Sequence, residues 1–135
     1  MSVTTGNDAV EQIVMLLNNT QLTDFSGRAY YYEKPEKVCG EYIVVNHLPF
    51  VRREATEEGT INVNIHVPRK KTNEPDSKRL SQLAHEIIAL FPAKGLYLGG
   101  MYFEFNADSR PVEENDGTYF TNLQILVTYN NLNYN

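Results

Sequence analysis

Gly59–Lys71, GTINVNIHVPRKK, is the stretch on which the fold turns. Its centre alternates strictly, with Ile61, Val63, Ile65 and Val67 on one side and Asn62, Asn64 and His66 on the other. A period of two marks a strand with one buried face. Pro68 stops the strand, and three cations follow: Arg69, Lys70 and Lys71. The polar row consists of amides and an imidazole, with no formal charge while His66 is neutral. Interface centres are depleted of charge in the same way. The row therefore reads as a surface that another protein covers, against the rival reading of a polar sheet face in water.

Outward from that strand, the best helix signal is Leu80, Leu83, Ala84, Ile87, Ile88 and Phe91, which share one helical face. Pro75 and Asp76 mark its start, and Pro92 lies past its end. Near the N-terminus, Val10, Ile13, Val14 and Leu17 predict a first amphipathic helix over roughly residues 8 to 19, with Asn7 as its cap. Tyr30–Tyr32 favours a strand. Tyr42–Val45 is dense enough in apolar residues to suggest a strand covered on both faces. Gly99-Gly100 inside a strand-like run suggests a bulge. The closing run alternates Thr121, Leu123, Ile125, Val127 and Tyr129 with Asn122, Gln124 and Thr128. Residues 51 to 59 and 107 to 117 read as polar loops, with the paired carboxylates Glu57-Glu58 and Glu113-Glu114 solvated in them.

The expected order is helix, three strands, helix, two strands. That is α+β: a mostly antiparallel sheet of about four to five strands with two helices packed on one face. One domain spans 1–135, with a folded core over 8–130 and a loose tail over 131–135.

Composition narrows the function classes. The 135-residue chain carries a net charge of −5, which argues against direct nucleic-acid binding because phosphate neutralisation needs a concentrated cationic face. The lone Cys39 forms no internal disulfide and stands in no metal-ligand spacing. The N-terminus lacks the basic and apolar regions of a signal peptide, and no apolar run approaches the ~20 residues of a membrane span. No GxSxG elbow, phosphate-cradling loop or HExxH motif occurs, and His47, His66 and His85 are scattered. These residues point to no catalytic site, cofactor, metal or small-molecule substrate. The basic cluster Arg69–Lys71 and the acidic residues Glu113, Glu114 and Asp116 suggest separate patches of opposite sign, suited to head-to-tail contact between copies. Nine tyrosines without a tryptophan fit a surface that is both apolar and hydrogen-bonding.

The pattern GTINVNIHVP, the charged loop with Pro75-Asp76, the helix SKRLSQLAHEIIALF and strands ending in LQILVTYNN resemble the small α+β tail-terminator or tail-completion (neck, head–tail joining) proteins of tailed bacteriophages. The resemblance covers roughly residues 8 to 130 and lies in element order and hydrophobic pattern. It implies a structural virion protein without catalysis, made in the host bacterial cytoplasm. Such proteins form rings, often hexameric, that meet tail-tube or head-connector proteins. In that role the loops 51–59 and 107–117 would by position make the contacts and the basic and acidic clusters would fit ring closure, while Asn62, Asn64 and His66 are candidate subunit-interface residues from the polar row itself. The alternative class is a small adaptor that recognises a protein partner through the polar sheet face.

Overall fold

The computed structural model describes residues 4–52 and 56–130. Two helices, α1 (Gly6–Asn18) and α2 (Ser77–Ile88), lie among eight strands. The strands are β1 (Ala29–Tyr31), β2 (Tyr42–His47), β3 (Val51–Arg52), β4 (Thr56–Pro68), β5 (Leu96–Leu98), β6 (Met101–Asp108), β7 (Val112–Glu113) and β8 (Thr118–Asn130). The class is α+β with two helices, but the expected sheet is corrected. All eight strands join one mixed sheet in the order β1-β2-β4-β8-β6-β5, with β3 on β4 and β7 on β8. β1 runs parallel to β2, with Ala29 opposite Ile43. Residues 32–41 must therefore cross over between them rather than form a tight hairpin. Tyr32 and Gly40, with φ of 63° and 83°, turn that crossover.

The element order also departs from expectation. The supposed loop over 51 to 59 contains β3 and the start of β4, which pair at Val51–Glu58 and Arg52–Glu57. Glu57 is accordingly buried in a strand, with Arg52 at 3.0 Å, rather than solvated. Arg53, Glu54 and the tail 131–135 lie outside the described residues. Gly99-Gly100 is no bulge. Both glycines have positive φ and turn β5 back onto β6, where Leu98 pairs with Met101. The irregularity falls instead between Phe105 and Ala107. The loop expected over 107 to 117 is likewise interrupted, by the end of β6 and by β7.

The core follows from the two periodicities. Ile61, Val63, Ile65 and Val67 of β4 pair beside Leu123, Ile125 and Val127 of β8 on one face, here the inner face. Val10, Ile13, Val14 and Leu17 of α1 and Leu80, Leu83, Ala84 and Ile87 of α2 cover it. Both helices are anchored by caps. Thr5, not Asn7, caps α1: its hydroxyl accepts from the Asp8 N–H at 3.3 Å while the Asp8 carboxylate accepts from the Thr5 N–H at 2.7 Å. Thr5→Ala removes half of that reciprocal pair, and an urea titration is expected to show a loss of about 1 kcal/mol. Asp76 accepts from the Arg79 N–H, and the Arg79 guanidinium donates two bonds, of 2.6 and 2.8 Å, to the Glu41 carboxylate just ahead of β2. That bidentate pair fixes α2 relative to the sheet.

Candidate functional site

Among the described residues, both helices pack on the inner face and none covers the outer face of the sheet. Its central positions come from the polar row of β4 and the rows opposite it. Register sets Asn62 against Asn46 on β2 and Gln124 on β8, and Asn64 against Val44 and Asn122. The amides bind one another across three strands. Asn62 Nδ2 donates to Asn46 Oδ1 at 2.9 Å, and Asn122 Nδ2 donates to Asn64 Oδ1 at 2.8 Å and Asn62 Oδ1 at 3.2 Å. The ladder holds these side chains against the sheet, half-buried, and adds no charge.

The row ends at His66, which is only 5% exposed. Its ring stacks on Tyr42 at 4.3 Å with an 11° tilt, and Phe120 lies against it at 5.0 Å. The acidic loop folds back here. Asp116 accepts from the Tyr42 hydroxyl and, at 2.6 Å, from the Thr118 hydroxyl. The Thr118 backbone N–H donates to the same carboxylate at 3.1 Å. Thr118 Oγ1 also lies 3.1 Å from His66 Nδ1. Its one proton goes to Asp116, so Oγ1 accepts and Nδ1 carries the hydrogen. His66 Nε2 is therefore an acceptor, and it has no hydrogen-bond partner among the described residues.

The electrostatics follow from this burial. Desolvation pushes His66 down to about 4, against the opposing carboxylates of Asp116 and Glu114, so the ring is neutral at neutral pH. Burial also raises the Tyr42 phenol, with Asp116 accepting its proton. For Asp116, burial acts upward, but the donors Thr118 and Tyr42 outweigh it and hold the carboxyl below its ordinary range. The outer row from Asn62 to His66 is thus uncharged at pH 7.

Beside His66 the crossover 32–41 and the acidic loop leave a cavity of about 290 Å³. Tyr32, Glu33, Lys34, Glu114 and Phe120 line it together with Tyr42, Asn64 and His66. Chemically the cavity offers a fixed lone pair, two carboxylates and aromatic walls. The hydrogen-bond direction, from His66 to Thr118 to Asp116, is opposite to that of a base activating a hydroxyl nucleophile. Among the described residues, no group of three or more His, Cys, Asp or Glu is placed to hold a metal ion. Among the described residues, no helix is long and apolar enough to cross a membrane.

Of the sequence-predicted site residues, Asn62, Asn64 and His66 form one continuous row, and Glu114 and Asp116 close over its end. Arg69, Lys70, Lys71 and Glu113 stand at the same end of the β4–β8 ladder. The Arg69 N–H donates to the Gly117 carbonyl, and Glu113 pairs with Tyr119. The two charge clusters are neighbours within one subunit, at the end of the ladder where Pro68 faces Thr118. Tyr42, Thr118, Phe120 and Lys34 were not singled out by sequence reasoning. The Asp116-Gly117-Thr118 turn was the one local signal, since Asp side chains bind backbone N–H groups two residues on. No protein-family model matches this chain and no curated protein matches it.

Proposed function

We propose that the chain is a non-enzymatic structural subunit of a phage or prophage particle, a ring-forming tail terminator or head–tail connector. The observation that carries this reading is the uncharged amide row on an outer sheet face that neither helix covers. Fixed, half-buried amides suit a contact with a neighbouring protein, because their hydrogen-bonding groups are already ordered before binding. A ring needs this face to meet a different surface of the next copy. Leu48 and Val51, exposed at 48% and 53% between β2 and β4, offer such a surface. Because the basic and acidic clusters adjoin each other, ring closure in this reading rests on the uncharged face.

Light scattering across protein and salt concentration is expected to find a discrete oligomer that survives moderate salt, since salt screens charge contacts and not amide or apolar ones. Asn62→Glu places a charge in the contact and is expected to shift the population to monomer with the fold intact by circular dichroism. A monomer at every concentration removes self-association from the argument. The cavity beside His66 favours a second reading, an adaptor that binds a protein partner, and that reading then leads.

A further inference from the structure

We infer that the cavity on the outer face is a recognition site for a guanidinium group, the head of an arginine side chain presented by a protein. Three features carry this. First, the site contains an acceptor that the described residues leave unused: His66 is nineteen-twentieths buried, lines the cavity, and has Nε2 unpartnered among those residues while Nδ1 is committed to Thr118. That lone pair opens into the cavity, where a ligand N–H can reach it. Second, the charged lining is predominantly anionic, with Glu33 and Glu114 against the single cation Lys34. The Lys34 ammonium is itself drawn over the Tyr42 ring, 5.5 Å from its centre. Third, Tyr32 and Phe120 present aromatic walls, against which a planar cation stacks.

Size and shape favour guanidinium over other occupants. The 290 Å³ cavity lies at the bottom of the range that holds cofactor-sized ligands, about 300 Å³ upward, and suits one side-chain head. An anion would face two carboxylates. An ammonium has three donors around a compact charge and does not stack as a plane, whereas a guanidinium carries five donors in one plane that matches flat walls. His66 remains an acceptor because Asp116, fixed by Tyr42 and Thr118, holds the Thr118 proton.

The experiment is an NMR titration of the full-length chain with N-acetyl-arginine amide, read at the His66 ring nitrogens and the side-chain amides of Asn46 and Asn64. Saturable shifts confined to the cavity are expected, with N-acetyl-lysine amide at least roughly tenfold weaker. His66→Phe keeps the stacked ring but removes the acceptor, and it is expected to weaken the arginine probe by about tenfold or more. Glu114→Gln, on the loop and outside the core, is expected to weaken it as well and serves if the histidine variant fails to fold. Absence of saturable shifts, or equal response to the two probes, overturns the proposal. Scattering mass recorded with the probe identifies the source. Dissociation of an oligomer assigns the guanidinium to a second copy, where Arg69 and Arg110 are exposed. Saturable binding at unchanged mass assigns it to an arginine of a different protein. Ring formation can fail while the probe still binds, so the two proposals fall separately.

Discussion

Replacing Ile65 by alanine is expected to lower the unfolding free energy by about 3 kcal/mol, while the same change at Asn64, its neighbour in the chain, costs about 1 kcal/mol or less. Ile65 is fully buried on the inner face, between Ile43 of β2 and Thr121 of β8. Its truncation opens a cavity in the layer that α1 and α2 cover, and a close-packed core collapses only partly into such a void. Asn64 points the other way. Its loss removes one acceptor from Asn122, whose Nδ2 keeps Asn62 Oδ1 as a second acceptor. A loss of about 3 kcal/mol is a large fraction of the whole stability of a small domain, of the order of 5–15 kcal/mol. Urea titrations of both variants with unchanged m-values measure the contrast. Equal costs at the two positions would mean that the outer face is as tightly packed as the core, and the open-face argument would fall with it.

That contrast is also where the sequence is most informative. The alternation of Ile61, Val63, Ile65 and Val67 with Asn62, Asn64 and His66 is a local property, and local patterns survive folding because each side of a strand has only one place to go. The helical stripes beginning at Val10 and Leu80 were legible for the same reason. What stayed hidden depends on distant partners. The parallel pairing of β1 with β2 is set by where the crossover 32–41 lands, and neither strand encodes that landing locally. Gly99-Gly100 sits between LYL and MYF, so periodicity reads one interrupted strand where the chain makes a two-residue turn. Glu57 looked solvated because its neighbours are polar, yet pairing with Arg52 and the inward register bury it. In the site, the polar row was visible, but its terminus was not. Tyr42, Phe120 and Asp116 reach His66 from 24, 54 and 50 positions away along the chain, brought together by the β2–β4–β8 register.

His66 is expected to make the protein markedly weaker in mild acid. In the unfolded chain the imidazole titrates near its ordinary value of about 6.5, whereas in the fold burial holds it near 4. Between these values the unfolded state binds a proton that the native state refuses, so stability rises with pH across this window and falls as pH drops from about 6.5 towards 4. Fully developed, the loss approaches about 3 kcal/mol. The groups around the ring partly oppose the shift: Asp116 and Glu114 favour the protonated form, while Lys34 disfavours it. Asp116 acts in a different window. Its depressed native value means that its contribution is present above the ordinary carboxylate range and is lost only at lower pH, as pH falls through the native value. Urea titrations at intervals from pH 7 to 4, on the parent and on His66→Phe, separate the two. Phenylalanine keeps the aromatic stack between Tyr42 and Phe120 and has nothing to protonate. The parent is therefore expected to lose stability relative to the variant as pH falls, because only the parent loses the imidazole's share. Parallel curves over the whole range would show that His66 titrates alike in both states, and that its ring is far better solvated than its burial under the acidic loop implies.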